Sequence, residues 1–280
     1  MKKLAVLGPK GTFSDVAAKE YLNNINDNNI KYNNMECNYY NSIDDVFKAV
    51  GKECDFGIIP IENTLDGYVQ RTLDLLLETD VQIISDIIIP ISFAFVGNVQ
   101  DINEVKKVYV QFKSNGQCRK FLSCLNNPSI ITTESNMASF NKVEENKDYE
   151  GAVIPSHMID VSCSNLKINN IQDSKNNETR FIVVKPLEAG TFNNIKDKKF
   201  KVSLYVLTEE DKPGMLYNIL KIFNDNNVNI NCILSRPTKE SIGNYNFYFE
   251  LEGDFYKRNE VLGAVSKLSQ CYNTKILGIY

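Results

Sequence analysis

The stretch from Lys199 to Tyr280 constrains the fold most, because its apolar residues change period in a definite order. Val202, Leu204 and Val206 alternate, as a half-buried strand requires. After the turn residues Asp211-Lys212-Pro213-Gly214, Leu216, Ile219, Leu220 and Phe223 fall at i, i+3, i+4 and i+7, the stripe of an amphipathic helix. Val228 to Ile233 reads as a strand, and Tyr245, Phe247, Phe249 and Leu251 alternate again. Val261, Ala264, Val265 and Leu268 restore the helical spacing, and Thr274 to Tyr280 closes as a strand. This βαββαβ succession is the ferredoxin-like order. It leaves one face of an antiparallel sheet without helices, a place suited to pairing of chains or to a small ligand.

Upstream the pattern differs. Leu4-Ala5-Val6-Leu7 is a short strand, and a helix runs from near Asp15 to about Leu22, followed by an Asn-rich loop to Asn34. Met35 to Tyr40 predicts a strand, Ser42-Ile43-Asp44-Asp45 a capped helix start, Phe56 to Ile59 a strand, and Tyr68 to Glu78 a helix. Two β-branched runs, Val81 to Ile89 and Ile91 to Val96, come next. Strands at Lys107–Val110, Ser129–Thr133 and Gly151–Ile154 then alternate with helices at Ser114–Leu125, Met137–Val143 and Ser156–Ser162. Such alternation predicts a parallel α/β layer. Pro186 to Lys199 has no period and reads as a linker.

Polar clusters sit where strands end. Gly8-Pro9-Lys10-Gly11-Thr12-Phe13-Ser14 joins a strand to a helix start, where free N–H groups and hydroxyls suit a carboxylate or phosphate; capping by Thr12 or Ser14 is the simpler use. It is neither a P-loop nor a dinucleotide fingerprint. Pro60-Ile61-Glu62-Asn63-Thr64 follows the Phe56–Ile59 strand, and Asn177-Glu178-Thr179-Arg180-Phe181 opens the apolar run that continues to Val184. Two strand ends that release polar groups can face one crevice, where open α/β sheets bind ligands. Strand alternation puts Thr179 and Phe181 on one face and Arg180 on the other, unless the chain bends.

Several classes of function are excluded. Net charge is −4 with basic residues dispersed, so there is no nucleic-acid footprint. Seven cysteines without a Cys-x-x-Cys pair, and a single histidine, His157, exclude a zinc site and fit a reducing cytosol. Lys2 and Lys3 precede only four apolar residues, too few for a secretory signal, and the apolar stretch Val81–Val99 is broken by Asp86 and Pro90, so it is not a membrane span.

Taken together, the clusters make the chain resemble a prephenate dehydratase with a C-terminal ACT domain, over nearly its whole length. The marks are Gly8 to Ser14, Pro60-Ile61-Glu62-Asn63 with Gly67, Thr72-Leu73-Asp74-Leu75-Leu76, Asn170-Ile171-Gln172-Asp173 and Asn177 to Phe181, with Pro213-Gly214 and Ser235-Arg236-Pro237 for the ACT part. The resemblance implies a periplasmic-binding-protein-like catalytic unit at 1–185, with subdomain one at about 1–80 and 166–185 and subdomain two at about 81–165. A linker at 186–198 and a ferredoxin-like ACT domain at 199–280 complete it. It further implies decarboxylation and dehydration of prephenate to phenylpyruvate in phenylalanine biosynthesis, without cofactor or metal, by a cytoplasmic homodimer or homotetramer that phenylalanine regulates.

The resemblance also implies site residues. Thr179 is the family's proton donor, and Glu62 is a chemically stronger rival if buried. Arg180 either holds a substrate carboxylate through paired hydrogen bonds or forms a structural ion pair. Thr12, Ser14, Asn63, Thr64, Gly67, Gln117 and Phe181 would contact substrate. Gly214, Met215, Leu216, Leu234, Ser235, Arg236 and Pro237 would bind phenylalanine.

Departures qualify this. The family's Ser-His-Pro-Gln is Val110-Gln111-Phe112-Lys113 here, so a hydroxyl expected to face ligand is Val110; Leu65 and Tyr68 stand where small hydroxyl residues are usual. Met215, Tyr217 and Leu234 change the ACT motifs. The same residues also admit an arogenate dehydratase or another shifted-substrate relative, or a catalytically weak phenylalanine-sensing protein.

Overall fold

A computed structural model describes residues 1–27, 35–145, 147–188, 199–208, 212–239 and 243–280. Most of the expected linker and of the Asn-rich loop lies outside them. Among the described residues the strands form three sheets.

The first sheet has the order β2-β1-β3-β11-β5, with β1 Lys3–Leu7, β2 Glu36–Tyr40, β3 Phe56–Asn63, β5 Val81–Pro90 and β11 Glu178–Pro186; the two-residue β4, Gly67–Tyr68, folds back on β3. β1 pairs in parallel with β2 and β3, and its Leu4, Ala5 and Val6 are fully buried, as for a strand covered on both faces. Helices α1 Phe13–Asp27, α2 Ile43–Ala49 and α3 Gln70–Glu78 join these strands. Ser42 caps α2 by accepting the Asp45 N–H.

The second sheet, β10-β6-β9-β7-β8, contains β6 Phe93–Gly97, β7 Lys107–Gln111, β8 Ser129–Thr133, β9 Glu150–Pro155 and β10 Leu166–Ile168. The helix expected over Ser114–Leu125 is two short ones, α4 Phe112–Gln117 and α5 Arg119–Ser123, broken at Cys118. α6 spans Asn136–Glu144, and the expected Ser156–Ser162 helix is a single tight turn, Ser156–Met158.

Sheet membership moves the subdomain crossings from those read in the sequence. Val81–Pro90 hydrogen-bonds along its whole length to β11 of the first sheet, and Leu166–Ile168 pairs with β6 of the second. The chain therefore crosses between β5 and β6 and returns after β10. Nor is either sheet purely parallel: β11 runs antiparallel to both β3 and β5, because it arrives from the second sheet and not through a helical crossover. One core serves both sheets, joining Leu4, Val6, Ile58 and Phe181 to Phe93, Phe95, Val108 and Val110.

The third sheet, β13-β14-β12-β15, is wholly antiparallel, with β12 Lys199–Leu207, β13 Asn229–Pro237, β14 Tyr245–Asp254 and β15 Asn273–Ile279. Helices α7 Met215–Asp225 and α8 Arg258–Cys271 cover one face, packing Phe223 and Val265 against Leu204 and Phe249. This is the βαββαβ order that the periodicities predict. The opposite face, free of helices, is packed on the first sheet's domain. Tyr205, Tyr248 and Leu277 share a core with Ile59, Ile61, Leu73 and Leu76. Tyr205 donates to the Leu73 carbonyl at 3.1 Å, and Lys275 to the Leu77 and Thr79 carbonyls at the C-terminal end of α3, where a cation is favoured. A Cβ on Gly278 would lie 2.4 Å from the Ile83 carbonyl oxygen, so β15 can approach β5 this closely only with glycine.

Candidate active site

β3 and β11 end side by side, and their register decides what each residue can touch. Thr179 lies opposite Asn63, and Arg180 opposite Glu62. Alternation then sends the Thr179/Asn63 pair to one face and the Arg180/Glu62 pair to the other. The register shifts between Arg180 and Phe181, which is the bend that the sequence left open.

On the first face lies a neutral cluster. Asn63 Nδ2 donates to Thr179 Oγ1 at 2.9 Å and to Asn177 Oδ1 at 2.8 Å. Asn63 Oδ1 accepts the Leu65 and Asp66 N–H groups, both at 3.0 Å, which fixes the amide with its NH₂ toward Thr179. Asn177 in turn donates to Gln117 Oε1 at 3.0 Å. Gln117 stands at the end of α4, so the cluster bridges the two lobes. The Thr64 hydroxyl is spent on backbone, donating to the Asn176 carbonyl at 2.9 Å and accepting the Glu178 N–H at 3.0 Å.

The loop after β1 forms another bridge. Gly11 has φ +90°, and a Cβ there would meet Met137 Sδ at 2.8 Å. Its N–H donates to Asp15 Oδ2 at 2.9 Å, and its carbonyl accepts from His157 Nε2 at 2.8 Å. The histidine stays exposed at the surface while its ring packs edge-on against Phe13, with centroids 5.5 Å apart. Burial lowers its pKa against the opposing pull of the Gly11 carbonyl. Burial pushes the Asp15 carboxyl up, but hydrogen bonds from Tyr39, Lys19 and Gly11 outweigh it and hold it below the ordinary value. A protein carboxylate thus already takes the Gly11 N–H that the sequence offered to a ligand. Thr12 leans back on the Leu7 carbonyl at 3.4 Å, and Ser14 is buried at the start of α1.

The second face is charged. Arg180 is 8 % exposed. Its Nε and Nη2 donate to Glu62 Oε2 at 3.1 and 3.0 Å, and Nη2 lies 2.8 Å from both carboxylate oxygens of Glu250 on β14. Asp86 is 3.6 Å from Nη1, and the Tyr68 hydroxyl accepts from Nη2 at 3.2 Å. Burial opposes the charge on Arg180, but Glu250 and its neighbours outweigh it and raise the pKa. Arg180 is therefore the centre of a structural ion cluster, and its hydrogen-bonding capacity is turned away from Thr179. Glu62 is in that cluster too, on the far face from the neutral pair.

Three other sequence expectations change. Phe181 is 2 % exposed and belongs to the shared core with Ile58 and Phe93, so it packs and does not face a ligand. Val110, expected to replace a ligand-facing hydroxyl, is fully buried in the same core; the next residue, Gln111, caps α4 by accepting the Lys113 and Ser114 N–H groups. Gly67, at φ +74°, serves the exposed turn between β3 and β4. In the C-terminal domain Met215 lines a cavity of about 720 Å³ with Leu207, Thr208, Pro213 and Asn218. Leu216 packs on the helical face of the sheet. Leu234 lies on the other face, and Arg236 reaches Asp74 of α3 at 2.8 Å. Gly214, at φ +83°, precedes α7, while Ser235 and Pro237 sit on the edge strand β13. Among the described residues that line the Met215 cavity, none belongs to Leu234–Pro237.

Sequence reasoning missed Glu250 and Asp86. Glu250 occupies the polar phase of an alternating strand, which reads as solvent-facing until the neighbouring domain is known, and Asp86 reads only as a break in an apolar run. Among the described residues no group of His, Cys, Asp and Glu is placed to hold a metal, and no helix is long and apolar enough to cross a membrane.

Fold and site define a two-lobed α/β protein with hydroxyls and amides gathered at strand ends where the lobes meet, and with a ferredoxin-like domain docked on the first lobe. The family model for prephenate dehydratase matches residues 4–189. A prephenate dehydratase of Methanocaldococcus jannaschii is 35% identical over 97% of this chain and 95% of its own, and one of Bacillus subtilis is 31% identical over 99% and 98%. The solved structure of an Arthrobacter aurescens prephenate dehydratase in complex with L-Phe superposes with a TM-score of 0.84 at 26% identity, covering 99% of this chain and 89% of that one. The chain belongs to the prephenate dehydratase family.

Proposed function

We propose that this chain converts prephenate to phenylpyruvate, with Thr179 as the proton donor. The observation that carries this is the Asn63–Thr179 hydrogen bond at the junction of the lobes. Because Asn63 donates, Thr179 Oγ is an acceptor there, and its own proton remains to be given elsewhere.

Prephenate is a dianion with a ring hydroxyl. The bond from ring to carboxylate breaks, its electron pair enters the ring, and the ring carbon–oxygen bond breaks. The departing oxygen takes the Thr179 proton and leaves as water. Carbon dioxide and phenylpyruvate are the other products, and solvent water reprotonates Thr179. Aromatisation supplies the driving force, so the protein's part is orientation and one proton transfer. A threonine hydroxyl is a weak acid, and the Asn63 N–H that stabilises its alkoxide is what fits it to the task. Glu62, ion-paired to Arg180 on the opposite face, is misplaced as a donor. Gln117, Asn177, Thr12 and Ser14 supply neutral contacts. Lys113, 3.2 Å from Asp66 in the turn that Asn63 caps, supplies a cation for a substrate carboxylate.

We further propose that phenylalanine regulates the enzyme at the C-terminal domain, and that the chain works as a homodimer or homotetramer in the cytosol. Leu216 and Leu234 lie on opposite faces of the sheet, and a second copy is the simplest way to join Gly214–Leu216 to Leu234–Pro237. Phenylpyruvate formation from prephenate by purified protein, with and without phenylalanine and with arogenate offered in parallel, tests all of this. Turnover of prephenate supports the reading. Folded protein that turns over only arogenate, or neither compound, overturns it.

A further inference from the structure

The buried ion pair between Arg180 and Glu250 joins the strand that carries Thr179 to a different domain. Arg180 and Thr179 are consecutive, so their Cα atoms are held about 3.8 Å apart by one peptide unit. Glu62 and Asn63 are consecutive in the same way on β3. The residues that face the crevice and those that face the C-terminal domain therefore alternate along the same two strand ends. Glu250 is itself fully engaged: Tyr68 of the β3–β4 hairpin donates to it at 3.2 Å, and Tyr248 donates from its own strand. Arg180 also lies over the Tyr68 ring, 5.8 Å from its centroid. Tyr68 is one of the residues that departs from the family pattern, and here it closes the contact between hairpin and C-terminal sheet.

We infer that Glu250 is a positioning residue for the reaction: from the C-terminal domain, through Arg180, Glu62 and Tyr68, it sets the height of β11 against β3 and so the Asn63–Thr179 geometry. A buried ion pair contributes little net stability for its desolvation cost, but it holds its partners in one arrangement. Movement of β14 relative to β11 has two outcomes, separation of the pair or displacement of Arg180, and the second moves Thr179. This is a physical route by which a ligand of the C-terminal domain reaches the crevice, and to that extent it rests on the proposed function.

The test compares Glu250→Gln with Asp74→Asn in the full chain. Asp74 binds Arg236 at 2.8 Å and Lys239 at 3.2 Å across the same domain boundary but lies on α3, away from both strand ends. In Glu250→Gln, kcat for prephenate falls roughly tenfold or more with KM little changed, as expected when a charge-assisted contact that only orients the donor is lost. The response of turnover to phenylalanine flattens, and amide exchange of the peptide spanning Thr179 quickens. In Asp74→Asn, kcat and exchange stay near wild type. Tyr68→Phe, which keeps the ring and removes one donor to Glu250, shifts both readouts in the same direction by less, and it stands in if Glu250→Gln does not fold. Wild-type kcat and exchange in the Glu250 and Tyr68 variants, or equal losses in the Glu250 and Asp74 variants, would overturn the inference. If the wild-type protein does not turn over prephenate, the proposed activity fails, and the exchange measurement alone decides the positioning role.

Discussion

The two faces of the β3–β11 strand ends are built from adjacent residues, yet their chemistry is opposite. On the Thr179 face the two strand ends carry a chain of neutral donors and acceptors, Asn63, Thr179, Asn177 and Gln117, joined by hydrogen bonds. The face toward the C-terminal domain concentrates a buried guanidinium and three carboxylates. The difference teaches how one strand serves two purposes. Neutral groups can exchange partners with an incoming substrate at low cost. A buried charge cannot give up its partners without a large penalty, so the charged side stays in place.

The comparison breaks most readily at Thr179. Thr179→Ala removes the proposed proton donor, and turnover falls by about two to four orders of magnitude. Its melting temperature stays close to wild type, because the charged face is untouched. Near-normal phenylpyruvate formation in this variant would remove Thr179 from the chemistry. The reciprocal substitution, Arg180→Met, leaves Glu62, Asp86 and Glu250 without their common cation, and stability falls by about 3–5 kcal/mol, readable as a lower urea midpoint. A small loss of stability there would mean the cluster is open to water.

A finer distinction comes from the lobe-to-lobe bridges. Gln117→Ala removes one neutral hydrogen bond from the crevice cluster, and kcat/KM falls by roughly threefold to tenfold, with little change in stability. The smallest effect is expected at the Gly11 bridge, and it depends on pH. The His157 pKa is lowered on folding from 6.5, so the unfolded chain binds the extra proton first. Stability from this group is present above about pH 6.5 and is lost as the pH falls through the folded-state value. Melting curves between pH 8 and 5 should show a steeper acid decline in wild type than in His157→Gln. Asp15, also lowered, contributes its stability above its ordinary value of 3.8 and loses it only in stronger acid, so the two windows separate.

Much of the fold was legible because it rests on local periodicity. The alternation of Val202, Leu204 and Val206, and the spacing of Leu216, Ile219, Leu220 and Phe223, each need only their own segment to be read, and the structure has β12 and α7 there. The strand-end clusters at Asn63 and Thr179 were legible for the same reason. Other elements were not. Nothing local says that Val81–Pro90 pairs with β11 and not with the strands that follow it, or that Cys118 interrupts a helix. Nor does anything local show that the exposed His157 bonds the Gly11 carbonyl, 146 positions away.

The sequence by itself determined the βαββαβ succession of the C-terminal part and the residue types at the strand ends, because side-chain period and turn chemistry are properties of neighbours in the chain. Tertiary structure alone decided which of those residues meet. Arg180 became the centre of an ion cluster and not a group facing the crevice, because alternation on β11 turned it toward Glu250, a residue 70 positions away. The helix-free face of the C-terminal sheet was committed to the first lobe through Tyr205, Tyr248 and Leu277, because burying apolar and aromatic surface there outweighs leaving it in water.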